Sequence, residues 1–320
     1  AVVTIPEGST LTIRDDVTAI NEGSIYKYGE IDGTVTNQNG GVILEESSTT
    51  VFISDFDGTI TEVAYGDSFF VNATVQKAAV TRAAGDYEGY VNFYVNMDGQ
   101  KTSLGSSEVE NGTAQVHVNM NGNRWKDNWW KPGDYTITAE FLSSDTLMKS
   151  TGSGTLKVTT KEITKNMVTW PTEVTYTGGD QTPAVTVQGL KPDTDYTVSY
   201  SRNEQATTDF TNAGEIMITV TGIGNYAGTA EAAYTIKPAE LAISGATLAA
   251  KTYDGSKMAT VESVDFDGVK GKDSLILDDD YTATAEFADA DAGMGKTATV
   301  SVTLKNGNYK LSDSTYQLPG

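Results

Sequence analysis

The chain has 320 residues, no cysteine, one histidine and a formal net charge of −21, with 43 Asp plus Glu against 22 Lys plus Arg. These counts exclude disulfides, thiolate metal sites, cysteine nucleophiles and multi-histidine metal centres, and they disfavour nucleic acid and anionic membrane surfaces as partners. Hydrophobic residues at 38% suffice for folded cores, and 32 glycines with abundant Thr, Val and Tyr favour strands and turns over helices. No apolar run approaches the roughly 20 residues of a spanning helix, so membrane insertion is not expected. No signal peptide is visible, and Ala1 is a residue that could follow a removed one.

Residues 1–56 carry short Gly-then-apolar units: Glu7-Gly8-Ser9-Thr10-Leu11, Glu22-Gly23-Ser24-Ile25, Asp32-Gly33-Thr34-Val35 and Gly40-Gly41-Val42-Ile43. They resemble the rungs of a right-handed parallel β-helix. Two rungs cannot bury a face by themselves. The segment is therefore expected either to end a longer solenoid or to pair with the next domain as a strand extension.

Val51 to Thr61, with Asp55-Phe56-Asp57-Gly58-Thr59, resembles the first motif of haloacid dehalogenase-type phosphatases. That resemblance implies Asp55 as nucleophile, Asp57 as general acid and Mg²⁺ between carboxylate and phosphate. Such a motif must end the first parallel strand of a doubly wound α/β domain. Here Tyr65 to Val75 alternates as a strand and no crossover helix follows. The expected structure is a strand ending in an Asp-Gly turn, and no catalytic residue is assigned.

Residues 57–160 read as a sandwich of about 100 residues. Strand-like runs lie at Glu62 to Val75, Gly89 to Asn96, Thr113 to Met120 and Thr155 to Thr159. Tyr135, Ile137, Ala139 and Phe141 share one face of a strand opened by Gly133-Asp134, the period of a half-buried strand. Asp98-Gly99, Asn111-Gly112 and Asn121-Gly122 supply the positive φ angles of tight turns. The phrasing Pro132 to Ala139 is similar to the late strand of bacterial immunoglobulin-like domains. The lone His117 alternates with Val116 and Val118 and falls on the solvent face. Arg124-Trp125-Lys126-Asp127-Asn128-Trp129-Trp130 places three of four tryptophans within six positions. These rings either plug the sandwich end or form a platform for sugar or protein. Arg124, Trp125, Trp129 and Trp130 are the candidate ligand-binding residues.

Residues 161–238 and 239–320 form an internal repeat. Tyr176-Thr177-Gly178 answers Tyr253-Asp254-Gly255, Asn212-Ala213-Gly214 answers Asp291-Ala292-Gly293, and Asn225-Tyr226 answers Asn308-Tyr309. Ile216, Ile218 and Val220 alternate, as do Tyr281 to Phe287 and Ala298 to Leu304. Lys237-Pro238-Ala239 reads as a short, stiff linker. The second copy, with Lys251 to Gly255, Asp289 to Gly293 and Gly307-Asn308-Tyr309, resembles the YDG repeat of bacterial surface proteins. The first copy resembles the related immunoglobulin-like repeats, with Tyr-Thr-Gly in place of the YDG triplet. The resemblance implies spacer or adhesive modules without catalytic residues.

Asp278-Asp279-Asp280 and Asp289 to Asp291 group hard oxygen ligands but lack EF-hand spacing, so they are expected to be solvated turns, with a weak Ca²⁺ site as the minority reading. No other cofactor is expected. An intramolecular Lys–Asn or Lys–Asp isopeptide bond would suit a cysteine-free surface sandwich, though the sequence names no pair.

The expected fold is thus all-β: a terminal segment (1–56) and three immunoglobulin-like sandwiches (57–160, 161–238, 239–320) in a monomeric rod. The expected role is non-enzymatic, as the stalk or adhesive part of a bacterial surface or secreted protein. The alternative is a carbohydrate- or host-protein-binding module using the loop at 125–130. A phosphatase, or the accessory part of a polysaccharide-degrading solenoid, is the enzyme reading. Leu318-Pro319-Gly320 lacks the Thr and the order of a wall-sorting signal.

Overall fold

The computed structural model describes residues 2–7, 9–13, 19–22, 24–27, 30–38, 42–45, 47–55, 58–77, 89–97, 99–122, 130–142 and 147–320. The described residues are all-β, with one 3₁₀ turn at Lys165–Met167 and no α-helix. The chain divides into two compact units, Ala1–Lys161 and Glu162–Gly320.

The first unit opens with seven short strands: β1 (Val2–Ile5), β2 (Thr10–Thr12), β3 (Ala19–Asn21), β4 (Ser24–Lys27), β5 (Glu30–Asp32), β6 (Val35–Asn37) and β7 (Val42–Glu45). Each pairs in parallel with the strand three later: β1 with β4, β2 with β5, β3 with β6, and β4 with β7. The register is unbroken, Val2 standing against Ser24 and Ser24 against Val42. Parallel pairing with the same offset arises when the chain winds repeatedly in one sense. Ile5 and Ile25 are buried. Asn21 is buried as well, and its Nδ2 donates to Asn37 Oδ1 at 2.8 Å, one turn of chain further on.

Nine strands follow: β8 (Ser47–Ser54), β9 (Thr59–Ile60), β10 (Glu62–Ala64), β11 (Ser68–Lys77), β12 (Tyr90–Met97), β13 (Gln100–Glu108), β14 (Thr113–Asn119), β15 (Gly133–Phe141) and β16 (Ser150–Thr159). They make one sheet ordered β10-β16-β15-β12-β13 and another ordered β14-β11-β8-β9. The alternation in β15 is realised, with Ile137, Ala139 and Phe141 buried against Phe69, Val71, Phe93, Val95 and Leu156 in one core. Burial of one face of the strand against the opposite sheet is what period-two patterning encodes.

The boundary expected after residue 56 is corrected by β8. This strand pairs antiparallel with β11 from Ser47–Lys77 to Ser54–Phe70, so it belongs to the sandwich and not to the terminal segment. Its inward positions include Ser47 and Thr49, both buried. Ser47 Oγ donates to Met148 O at 2.6 Å, and Ser150 Oγ lies 2.7 Å from both hydroxyls. Gly152 and Gly154 of β16 let the β8 backbone come close; a Cβ at Gly154 would lie 3.2 Å from Val51 O.

The second unit contains two copies of a smaller sandwich. The first has β17 (Lys161–Glu162), β18 (Val168–Thr169), β19 (Val174–Thr175), β20 (Thr186–Val187), β21 (Tyr196–Arg202), β22 (Gln205–Ala206), β23 (Gly214–Gly222), β24 (Tyr226–Ala227) and β25 (Thr229–Lys237). Its main sheet runs β19-β25-β23-β21-β22. The second has β26 (Ala239–Leu248), β27 (Met258–Ala259), β28 (Val261–Asp267), β29 (Tyr281–Phe287), β30 (Ala298–Leu304), β31 (Tyr309–Leu311) and β32 (Thr315–Leu318), in sheets β28-β26-β31 and β27-β29-β30-β32. Ile216, Ile218, Val220, Val300 and Val302 are buried as their alternation requires.

Only Pro238 stands between β25 and β26, and Ala239 and Leu241 are fully buried. One core runs through this junction, joining Tyr176, Phe210, Ile216, Tyr234 and Ile236 of the first repeat to Ala239, Leu241 and Tyr309 of the second. Each repeat also has a core of its own, around Tyr196 and Val220 in the first and Tyr281 and Val300 in the second, and the junction core is added to these.

Candidate functional site

The aromatic loop expected to bind ligand divides. Arg124, Trp125 and Trp129 lie outside the described residues. Trp130 is core: it is 1% exposed, meets Phe69 edge-to-face at 5.6 Å between centroids and lies 4.9 Å from the Tyr135 ring. Tyr135 closes the loop base by donating its hydroxyl to Lys131 O at 2.8 Å and accepting from Lys131 N at 2.9 Å. A ring this buried offers no face to a sugar, so Trp130 plugs the sandwich and is removed from the candidate set.

The remaining sequence candidates are structural. Asp55 Oδ1 accepts from Gly58 N at 3.0 Å, and Asp55 N donates to Gly58 O at 2.9 Å, the tight turn after β8. Asp57 lies outside the described residues. His117 is exposed on β14 and stacks across the ladder on Phe70, 4.8 Å between centroids. Asp280 caps its own turn, accepting from Ile276 N at 2.9 Å and from Asn306 Nδ2 at 3.0 Å. Asp289 accepts from Asp291 N at 2.9 Å and pairs with Lys296. These bonds to the charged form hold the Asp289 carboxyl below its usual range, the Lys296 contact being the largest cause. Among the described residues no group of three or more acidic or histidine side chains is arranged to hold a metal.

The polar groups that the fold does bring together lie where the repeats meet. Tyr176, at the end of β19, donates its hydroxyl to Asp273 Oδ2 at 2.7 Å. Tyr309, opening β31, donates to the same oxygen at 2.6 Å and accepts from Lys270 N at 3.0 Å. The two rings cross edge-to-face at 5.3 Å, and each is 4% exposed. Burial, reinforced by Asp273, pushes the Tyr309 phenol up to about 12, and it pushes Tyr176 further in the same direction. Beside them Ala213 N donates to Asn308 Oδ1 at 2.7 Å, and Asn308 Nδ2 donates to Asn212 Oδ1 at 2.9 Å. Gly178, with φ +78°, lies against Lys270 and Gly271; a Cβ there would sit 3.0 Å from Lys270 O. Thus the Tyr-Thr-Gly and Asn-Ala-Gly motifs of the first repeat grip the Gly-Asn-Tyr motif of the second.

The same motifs in the second repeat border an open cleft of about 300 Å³. Its walls include Tyr253, Asp254, Asp291 and Ala292, with Lys251 and Lys296 between them. Lys251 Nζ lies 2.9 Å from Asp254 Oδ1, the largest cause of that carboxyl's lowered pKa, and also donates to Ser256 O at 2.9 Å. Tyr253 is 67% exposed. Sequence reading marked these motifs as repeat signatures but assigned them no contact. The partners of Tyr176, Asn212 and Ala213 are about a hundred residues away, so local spacing carries no sign of them.

Residues 237–316 match the YDG domain family. No curated protein matches the chain. Among solved structures, a tetra-tandem repeat from the extending region of a large adhesion protein aligns at 12% identity, covering 86% of this chain and 74% of that one, with a TM-score of 0.30. Domains A168–A170 of titin align at 9% identity, covering 86% and 98%, with a TM-score of 0.27. TM-scores at this level transfer neither an arrangement nor a role.

Proposed function

We propose that this chain is a non-enzymatic spacer of a bacterial surface or secreted protein, built from immunoglobulin-like modules and carried as a monomer. The observation that supports it best is the junction of the second unit. A core continuous from Phe210 to Tyr309, closed by two tyrosines on one carboxylate, fixes one repeat against the next. That is a device for holding distance and direction. The YDG domain match over residues 237–316 supports reading the last module as one of these surface-protein repeats. The parallel stacking of β1 to β7 supports reading the terminal segment as β-solenoid-like. The net charge of −21 keeps such a surface soluble and repels other acidic surfaces.

The test is binding of the whole chain to arrays of glycans and extracellular-matrix proteins, beside a Trp125→Ala/Trp129→Ala variant shown to be folded. A spacer binds nothing in either form. Binding that disappears in the variant would overturn the reading and make the loop at 124–129 a ligand site.

A further inference from the structure

The two repeats carry the same edge in two states, one covered and one open. In the first repeat this edge consists of Tyr176, Gly178, Asn212 and Ala213, and the second repeat covers it. In the second repeat the corresponding residues are Tyr253, Gly255, Asp291 and Ala292. Each keeps the chemistry that the first edge uses. Tyr253 has the hydroxyl that Tyr176 gives to a carboxylate. Gly255 has φ +72° against +78° at Gly178. Asp291 offers a side-chain oxygen where Asn212 Oδ1 accepts. Ala292, like Ala213, has a backbone N–H.

What differs is coverage. Tyr253 is 67% exposed where Tyr176 is 4%. A Cβ on Gly255 meets nothing within 4 Å, where one on Gly178 meets Lys270 O. Asp291, Ala292 and Gly293 are all exposed, and Met294 and Met258 add apolar surface beside them. Lys251–Thr252 also lie outside the sheet, whereas Val174–Thr175 have added to its edge as β19, next to β25.

We propose that the cleft at Tyr253, Asp254 and Asp291 is a docking surface for the leading edge of another YDG-type repeat, one presenting an Asp and an Asn-Tyr pair as Asp273, Asn308 and Tyr309 do. The fit follows from the covered copy. The incoming Asp accepts the Tyr253 hydroxyl, as Asp273 accepts that of Tyr176. The incoming Asn donates to Asp291 and accepts from Ala292 N, and the incoming Tyr stacks on Tyr253. Module arrays are stabilised by such nearest-neighbour terms, and an open edge is the place where the next term is added. This extends the spacer reading and can fail without it, since flexibly joined modules would still span distance.

The experiment is to lengthen the full chain by one further copy of residues 239–320 after Gly320 and to follow amide hydrogen exchange with and without it. Docking slows exchange at 253–256 and 291–293 at least tenfold, and a Tyr253→Ala/Asp291→Ala variant of the lengthened chain loses that protection. Tyr253 and Asp291 are exposed, so this variant leaves the core intact. Exchange at these amides unchanged within twofold, while β29 and β30 of the added copy are protected, overturns the proposal. So does protection that survives the double variant. An added copy that does not fold also overturns it, because the fit would stabilise that copy.

Discussion

Tyr176 and Asp273 lie in different repeats, 97 positions apart, and meet at 2.7 Å. A double-mutant cycle with Tyr176→Phe and Asp273→Ala isolates that bond. Asp273→Ala deprives two hydroxyls of their acceptor, both on rings 4% exposed. A buried donor left unsatisfied costs about 1–3 kcal/mol, so the pair gives about 2–6 kcal/mol; the bond that Tyr309 accepts from Lys270 N persists and does not satisfy its own donor. Tyr176→Phe removes one donor and leaves the carboxylate its bond to Tyr309. Hydrogen bonds to charged groups contribute about 1.5–3 kcal/mol, and the coupling between the two changes should fall in that range. The chain has two compact units, so a single unfolding midpoint is not a clean observable. Native-state hydrogen exchange of β23 and β30 is, because both strands flank the junction. A coupling of that size appears there as about a 10- to 150-fold departure from additivity. If the two single effects add to within about 0.5 kcal/mol, the tyrosine–carboxylate bond does not join the repeats, and the junction argument fails.

Trp130→Ala should destabilise the first unit by about 3–5 kcal/mol, as deletion of a buried ring does, read as the loss of exchange protection in β11 and β15. A change below about 1 kcal/mol would return Trp130 to the surface. Tyr309 and Tyr176 both titrate above the ordinary 10.0, so the fold favours their protonated forms. The stability they lend is complete below pH 10 and is lost as pH rises from there towards 12. The second unit should therefore weaken over this range, and Tyr309→Phe should flatten the decline; an equal slope in wild type and variant would refute the assignment. Gly154→Val should destabilise the sandwich by about 1–3 kcal/mol, because its side chain would be forced against the β8 backbone. Unchanged exchange protection in β11 and β15 would show that β8 is free to move away. Millimolar Ca²⁺ should leave exchange protection in the second unit unchanged, since Asp280 and Asp289 already serve as turn acceptors; a clear rise would restore the metal reading.

What could be read from the sequence follows from how locally each signal is written. Ile137-Ala139-Phe141 and Ile216-Ile218-Val220 state their faces within a few residues, and the structure buries them as read. β8 was misassigned because its inward row, Ser47-Thr49-Val51-Ile53, begins with two hydroxyl residues. Only the glycines of β16, a hundred residues later, make room for such a row. Three neighbouring tryptophans gave no local clue to which ring turns inward; the answer for Trp130 rests on Phe69 and Tyr135. The repeat was visible from matched triplets, but the use of those triplets was not. Asp273 carries no motif of its own, and its position between two distant tyrosines exists only once both sandwiches are folded.

One recurrent pairing bears on how the modules meet force. In the first sandwich β10, which follows β8 and β9, lies parallel to the departing strand β16, Glu62 to Ala64 against Lys157 to Thr159. In the first repeat β19 lies parallel to β25, and in the second β26 lies parallel to β31. When a chain is drawn apart by its ends, such partners are pulled lengthwise past each other, and the bridging hydrogen bonds are loaded together. A hairpin pulled open at its ends loses its bonds one at a time, as a zipper does. Each module thus carries one such parallel pair that includes its first or its last strand, and single-molecule extension should record abrupt, separate ruptures in place of gradual yielding.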